Sequence, residues 1–207
     1  MRKRLAAALF ALALADLAPA RAQDVLSLAA LEAAPGQVRA LPVAVRDLSG
    51  TLLDEGDGGD LEIQGFAFRV DFAPAEPVTA VTFVQAGVTA GRTPIFPVVS
   101  PFADHIVVLM SFDAATDPLA FALDAAAPGD VVGELRFTLS PAALPGTLLT
   151  LALDAASATL VNGAATLSET VGNGHLTLVD GAILVDAAIF ADGFESGGFG
   201  GWTSHLP

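Results

Sequence analysis

The 207-residue chain contains no cysteine, no tyrosine and a single tryptophan, Trp202. Without cysteine it can form no disulfide, bind no metal through a thiolate and use no cysteine nucleophile. The missing tyrosine and the position of Trp202 near the C-terminus remove the side chains that most often stack on sugar rings. The composition therefore excludes a disulfide-stabilised scaffold and argues against a carbohydrate-binding platform.

Positive charge is also scarce. Nine Lys and Arg face 23 Asp and Glu, which gives a formal net charge of −14. Nucleic-acid binding needs clustered basic residues that neutralise phosphates, so the charge argues against a nucleic-acid partner. Such an acidic surface favours cations or basic partners and keeps the protein soluble through self-repulsion.

Residues 1–22 have the pattern of a secretory signal peptide. Three basic residues at positions 2–4 precede an apolar run, Leu5 to Ala15, of about 11 residues, which is too short to span a bilayer. The small residues Ala20 and Ala22 then form a cleavage pattern, which predicts Gln23 as the mature N-terminus. We therefore expect a bacterial protein that is secreted or held at the cell surface.

Removing the signal peptide changes the charge and the hydropathy of the chain. Four basic residues and one acid are lost, which leaves 22 acids and a net charge of −17. No second apolar segment is long enough to span a membrane, because 181–190 contains Asp186 and the run 106–110 is short. The mean hydropathy of +0.62 then reflects the signal and a buried core. The remaining basic residues are all arginine: Arg39, Arg46, Arg69, Arg92 and Arg136.

Apolar residues alternate with polar ones along most of the mature chain. In 66–72, four large apolar residues lie on one face while Arg69 and Asp71 lie on the other. The same period recurs in 41–46, 134–139 and 148–153, and the apolar run 106–112 is typical of a central strand. The pattern predicts β-strands and places Phe66, Phe68, Phe72 and Phe137 in the core, with no aromatic ring on the outward positions.

Turn residues separate these strands at frequent intervals. They include Pro-Gly and Asn-Gly pairs, and strands of this length between such turns predict an all-β, antiparallel sandwich. Pro42 lacks an N–H, so its strand should lie at a sheet edge or leave that position unpaired. The proline-rich segment 89–103 is predicted as a long loop, and Pro118 argues against a helix in 113–127.

The order of strands and turns over residues 24–180 resembles the cohesin domain family. The matching segments are Val25–Leu28, a Pro35-Gly36 turn followed by Leu41-Pro42-Val43, the turn 47–50, Gly65–Pro74 with its Asp-Phe-Ala-Pro ending, and the late strands 133–137 and 172–178. This resemblance implies a nine-stranded jelly roll, related to carbohydrate-binding modules. The long segment 89–105 and the acidic loop 54–60 depart from the family pattern.

The resemblance also implies a function and a division of the chain. Cohesins are secreted modules that bind dockerins and assemble polysaccharide-degrading complexes, and they do so through a strand face without a short invariant motif. We expect a signal peptide at 1–22, a cohesin-like domain at 23–186 and a Gly- and Phe-rich tail at 187–207. The tail resembles the Asp-Gly-Phe-Glu-Ser-Gly…Trp ending of many secreted bacterial proteins, and is either a recognition tag or a frayed terminus.

Little in the sequence points to catalysis. His105, His175 and His205 are too far apart in sequence to form a metal-binding motif, and no Gly-x-Ser-x-Gly nucleophile elbow occurs. Asp54, Asp57 and Asp60 lie close together in a Gly-rich loop, and carboxylate oxygens suit Ca²⁺. Their spacing is not that of an EF-hand, so this loop is either a calcium site or a solvated acidic loop.

These observations favour a non-catalytic interaction module with no resident cofactor. The expected partner is a protein, dockerin-like or other, in an extracellular assembly linked to polysaccharide breakdown. The alternatives are a carbohydrate-binding module, an adhesin-type surface protein and, last, a hydrolase. The sequence does not identify the partner-binding residues.

Overall fold

A computed structural model describes residues 22–54 and 61–186 of the chain. These residues form strands, turns and loops, with a turn of 3-10 helix at Gly87–Thr89 and no α-helix. In chain order the strands are β1 (Asp24–Leu28), β2 (Ala30–Ala33), β3 (Val38–Arg46), β4 (Ile63–Ala73), β5 (Val78–Val84), β6 (Phe96–Pro101), β7 (His105–Ser111), β8 (Asp130–Leu139), β9 (Leu148–Leu153), β10 (Thr159–Asn162), β11 (Ser168–Thr170), β12 (Leu176–Val179) and β13 (Gly181–Val185).

The strands form two sheets that pack face to face. The five-stranded sheet has the order β12-β1-β3-β8-β5. The eight-stranded sheet has the order β11-β10-β4-β9-β13-β2, and β7 pairs with β4 and with β6. One side of β4 pairs with β7, and the other side pairs with β10 along its first half and with β9 along its second. The predicted β-sandwich is confirmed.

The sheets are mixed rather than purely antiparallel. β1 pairs in parallel with β12, and β13 pairs in parallel with β2, while the other pairings are antiparallel. β1 and β2 are separated only by Ala29, and β12 and β13 only by Asp180. The chain therefore passes from one sheet to the other at each of these two residues. The described residues contain thirteen strands where nine are expected.

Buried apolar side chains fill the space between the sheets. The predicted core residues Phe66, Phe68, Phe72 and Phe137 are all buried. The rings of Phe66 and Phe68 each lie about 6 Å from the ring of Phe83, with centroid separations of 6.2 and 6.0 Å. Phe72 meets Phe137 from the opposite sheet edge-on, at 5.7 Å. Edge-on contacts of this kind stabilise aromatic pairs beyond the area that they bury.

Pro42 lies in a central strand, which corrects one of the two expectations for it. β3 lies between β1 and β8. The carbonyl of Pro42 accepts a hydrogen bond from Ala29 at 3.3 Å, and the β1–β3 ladder ends one residue away, at the Leu28–Val43 pair. The missing N–H therefore falls where β1 leaves the sheet, so that no regular ladder bond is lost.

The prediction of a long loop at 89–103 is wrong. Residues 96–101 form β6, which pairs with β7 over six registered residue pairs from Phe96–Ser111 to Pro101–Ile106. β6 is an edge strand, where proline is tolerated because only one side of the strand is hydrogen-bonded. The expectation that no aromatic ring faces outward is also wrong, since Phe96 and Phe102 are 59% and 53% exposed.

No helix in the described part of the chain is long and apolar enough to cross a membrane. The predicted signal peptide, 1–22, and the tail, 187–207, lie outside the described residues, apart from Ala22.

Candidate interaction face

The outer surface of β6, β7 and β4, continued by β9 and β10, is an open sheet surface with an apolar centre. We call it the β6–β7–β4 face. Its side chains follow from the register, because directly paired residues point to the same side of a sheet. Phe96 of β6 pairs with Ser111 of β7, which pairs with Gly65 of β4, and Val161 of β10 completes this first row. All of these residues except Gly65 are partly or fully exposed.

The next rows carry the apolar centre of the face. Val98, Leu109, Ala67 and Thr159 form the second row across the four strands. In the third row, Ser100 and Val107 lead to Arg69, where polar residues begin. The face is therefore mainly apolar over two rows and becomes charged toward one end.

A shallow groove runs across the first two rows. Its volume is about 320 Å³, and its lining includes Phe96, Leu109, Ala67, Val161 and Ala165. Gly65 lies beside two residues of this lining, and a Cβ at that position would lie 2.8 Å from Val161 Cγ2 and 2.9 Å from the Met110 carbonyl oxygen. Because its lining is mainly apolar, the groove suits an apolar side chain.

Charged groups flank the apolar rows. Arg69 Nε donates to Asp71 Oδ1 at 2.8 Å, and this pair is half-exposed beside His105. The hydrogen bond to Asp71 raises the pKa of Arg69 above its ordinary value. Asp104 Oδ1 lies 2.7 Å from His105 Nδ1, and this hydrogen bond lowers the pKa of Asp104. The end of the face therefore carries both signs of charge at neutral pH.

Phe102 closes this end of the face. Its ring stacks on the His105 ring with centroids 4.3 Å apart and planes 12° apart. The backbone turn between them is closed by a hydrogen bond from the Phe102 amide to the His105 carbonyl, at 2.8 Å. One side of each ring is thereby covered, while Phe102 remains more than half exposed.

The opposite outer face, on the five-stranded sheet, carries a second apolar groove. Arg46 Nε donates to the Ala125 carbonyl at 2.7 Å, which holds the loop before β8 against the sheet. Ala127 and Pro128 of that loop form one wall of an apolar groove of about 550 Å³, whose other wall includes Val179. This groove is larger than the groove on the β6–β7–β4 face.

The predicted calcium loop is described only in part. Asp54 is buried, and its Oδ2 accepts a hydrogen bond from the Gly50 amide at 2.8 Å. Asp57 and Asp60 lie outside the described residues, so the calcium site stays a prediction. Within 22–54 and 61–186, no group of three or more His, Asp or Glu side chains is arranged to hold a metal ion.

The sequence did not identify the residues of the β6–β7–β4 face. The inward-facing residues of the same strands can be predicted because they are large and alternate with polar ones. The outward-facing Val98, Leu109 and Ala67 have no such pattern. A weak signal is present in the segment 96–101, where Phe96 and Val98 are apolar and alternate, but Pro97 and Pro101 argue against a strand. Of the three histidines, His105 lies on this face, His175 precedes β12, and His205 is outside the described residues.

Comparison with known proteins finds similarity at the level of the fold. No protein-family model matches the chain, and no curated protein matches it. Among solved structures, a type I cohesin of OlpA in complex with a dockerin, from Clostridium thermocellum, has a TM-score of 0.57 at 12% identity, and the match covers 79% of this chain and 99% of that one. The third cohesin of ScaC in complex with the ScaB dockerin, from Acetivibrio cellulolyticus, has a TM-score of 0.56 at 15% identity, covering 80% and 100%.

A third similar structure is a non-cellulosomal cohesin from the archaeon Archaeoglobus fulgidus. Its TM-score is 0.50 at 13% identity, and the match covers 79% of this chain and 91% of that one. These structures show that the chain has the cohesin fold. At such low identity the likeness concerns architecture, and function has to be argued from the surface of this chain.

Proposed function

We propose that this chain is a secreted, non-catalytic, cohesin-like interaction module that binds a protein partner on the β6–β7–β4 face. The single observation that carries the proposal is the apolar centre of this face, which is at least partly exposed within the described residues and is formed by Phe96, Val98, Val107, Leu109 and Ala67. Contiguous exposed apolar surface with a polar rim is typical of protein-binding sites. The cohesin fold supports the same proposal.

The proposed partner is a dockerin-like module. Two of the similar structures are complexes of cohesins with dockerins, which supports a partner of that class. The groove beside Gly65 would take a small apolar side chain of the partner, and Arg69, Asp71 and Asp104 would meet its polar rim. Such mixed charge adds to specificity and to the association rate more than to affinity.

The test is a pull-down with the mature chain from the secreted proteins of the native organism, with captured proteins identified by mass spectrometry. Leu109→Glu places a charge at the centre of the face and should weaken capture at least tenfold, because the carboxylate would be desolvated without a partner. The matched control is Val38→Glu, at an exposed position on the other sheet, which should leave capture unchanged.

A protein with a dockerin-like module should be recovered by the wild type and the control but not by Leu109→Glu. Equal capture by all three variants would move the binding site elsewhere. Failure of the wild type to capture any protein would count against an interaction module.

Carbohydrate binding is a second candidate, because Phe96 is exposed beside the groove and exposed aromatic rings can stack on sugars. A glycan array distinguishes the two candidates. A bound glycan that is lost in Phe96→Ala would favour a carbohydrate-binding module, and an array without binding would favour a protein partner. Polysaccharide breakdown enters the proposal only through the partner.

The acidic loop and the tail keep their proposed roles. Calorimetric titration of the mature chain with Ca²⁺ tests the loop, with Asp57→Ala as the variant that should lose binding. A titration without heat of binding, together with unchanged stability of this variant, would show that the loop is a solvated acidic loop.

Deleting 189–207 should reduce secretion or surface retention when the tail is a recognition tag, and should change neither when it is a frayed terminus.

A further inference from the structure

Three acidic side chains are fully buried at one end of the sandwich. Asp24 begins β1, Asp47 follows β3, and Glu169 lies in β11, and their exposed fractions are 0, 1 and 0%. They belong to different sheets, since β1 and β3 are in the five-stranded sheet and β11 is in the eight-stranded one. Buried carboxylates are costly when ionised unless a cation or hydrogen-bond donors compensate the charge.

Asp24 and Glu169 each use one oxygen to hold the backbone of the loop after β3. Asp24 Oδ1 accepts from the Leu48 amide at 2.9 Å. Glu169 Oε1 accepts from the amides of Leu52 and Leu53, at 2.7 and 2.9 Å. These bonds connect the loop 48–53 to both sheets at this end of the molecule.

The second oxygens of the two acids have no backbone donor. Asp24 Oδ2 and Glu169 Oε2 are both buried and receive no hydrogen bond from an N–H or hydroxyl group. The two carboxyl groups interact with each other, and this contact raises the pKa of Asp24. Two ionised carboxylates offer only acceptors, so a hydrogen bond between them would require a proton.

Acids and one histidine, His175, surround the pair, and the buried Nδ1 of His175 has no hydrogen-bond partner among the described residues. Asp47 repels Asp24 and adds negative charge. Asp54 lies on the same loop and holds the Gly50 amide, and His175 contributes its carbonyl to the Asp24 amide at 3.0 Å. The arginine ion pairs within 22–54 and 61–186 are made with other acids: Asp71, Asp117 and Glu134. Burial first, then the hydrogen bond to Glu169 and the repulsion by Glu169, raise the pKa of Asp24 to about 9, from an ordinary value of 3.8.

We propose that Asp24 and Glu169 share one proton in a buried O–H···O hydrogen bond, and that this proton joins the two sheets and holds the loop 48–53. The proton comes from the solvent and returns to it, and no other bond changes. Loss of the proton leaves two charged carboxylates in contact and opens the loop. The module is therefore built to be more stable in mildly acidic than in alkaline surroundings, independently of the partner proposed above.

The sign of the pH dependence follows from proton linkage. The folded chain keeps a proton that the unfolded chain releases near its ordinary value, so the folded state binds more protons over this range. The free energy of unfolding therefore falls as the pH rises from about 4 to about 9. The unfolding equilibrium constant should rise by up to about tenfold for each pH unit in the middle of that range.

The test is denaturant unfolding of the mature chain from pH 5 to pH 9 in the presence of EDTA. Asp24→Asn replaces the shared proton by an amide N–H that can donate to Glu169, while its carbonyl oxygen still accepts from Leu48. In this variant the free energy of unfolding should no longer fall as the pH rises. At pH 8 its unfolding equilibrium constant should be at least tenfold lower than that of the wild type. The matched control, Glu134→Gln at a surface ion pair, should keep the decline.

Two further measurements hold even if Asp24→Asn does not fold. Glu169→Gln should give the same flattened profile, because its amide can donate to Asp24. Infrared spectra of the wild type at pH 7 should contain the carbonyl band of a protonated carboxylic acid, which should disappear at alkaline pH.

A flat wild-type profile, or a wild type without the carboxylic-acid band at pH 7, would overturn the proposal. Stabilisation of the wild type by added Ca²⁺, lost in Glu169→Gln, would also overturn it, because a cation would then take the place of the proton.

Discussion

Gly65 and Val161 face each other across the β4–β10 pair so closely that a Cβ on Gly65 would lie 2.8 Å from Val161 Cγ2. The same Cβ would lie 2.9 Å from the Met110 carbonyl oxygen of β7 on the other side. Gly65 is therefore required by the spacing of three strands, next to the groove on the β6–β7–β4 face.

Gly65→Ala should destabilise the protein by about 1–3 kcal/mol, because a methyl group in this space forces the strands apart. Chemical denaturation measures the loss. The control is Gly172→Ala, where the nearest atom to an added Cβ is Thr170 Oγ1 at 3.8 Å, and its stability should change by less than about 0.5 kcal/mol. Equal stability of Gly65→Ala and the wild type would show that β4, β7 and β10 can move apart freely.

Gln64 ties the segment before β8 to the core. Its side chain is 1% exposed, its Oε1 accepts from the Leu119 amide at 2.8 Å, and its Nε2 donates to the Leu119 carbonyl at 3.1 Å. Gln64→Ala leaves both groups of Leu119 without partners and should cost about 2–4 kcal/mol in the free energy of unfolding.

The exposed Gln37 offers a matched control for Gln64→Ala. It accepts one hydrogen bond, from the Ala34 amide at 3.1 Å, in contact with water. Gln37→Ala should therefore cost less than about 1 kcal/mol. Comparable losses in the two variants would contradict the role assigned to burial.

Acid should weaken the fold through surface aspartates that accept hydrogen bonds. The bond from Arg92, at 2.7 Å, and the amide of Thr93, at 2.8 Å, lower the pKa of Asp117. A group whose pKa is lowered in the folded state stabilises it above its ordinary value of 3.8, and this contribution is lost as the pH falls through the lowered value.

Asp117→Asn should therefore melt below the wild type at pH 6, and the difference should shrink toward about pH 2. Thermal melts followed by circular dichroism measure this difference, with Glu76→Gln at an exposed position as the control. A difference in melting temperature that does not change with pH would contradict this prediction, because the loss of stability would then not depend on the charge of Asp117. Together with the Asp24–Glu169 pair, this predicts maximal stability in mildly acidic solution.

The parts of the fold that could be predicted from sequence are those where one face of a strand is buried. β4, β8 and β9 alternate because every second residue contacts the core, and a purely local pattern reveals this. The sequence does not predict β6, because Pro97 and Pro101 argue against a strand, although both lie in an edge strand that pairs on one side with β7. It does not predict the parallel pairs either, because pairing partners are set by tertiary contacts.

The candidate sites were harder to predict, for a physical reason. The acids singled out in the sequence, Asp54, Asp57 and Asp60, are neighbours in the chain. Asp24 and Glu169, in contrast, are far apart in the chain, and neither has acidic neighbours that would single it out in the sequence. Likewise, the β6–β7–β4 face becomes visible only when the register places Val98, Leu109 and Ala67 in one row.

The parallel pairs β1–β12 and β2–β13 also constrain the order of folding. The first strands to leave the ribosome need the last strands as neighbours, so these pairings close a loop of almost the entire domain. Contacts between such distant segments form slowly, because the entropy of ordering the loop is lost before the contacts compensate it. Until β12 and β13 arrive, β1 has an open edge in one sheet and β2 is unpaired in the other. A chain that ends before residue 176 would therefore expose unpaired strand edges, which can pair with other chains. Synthesis of β12 and β13 is then the step that protects this protein from aggregation.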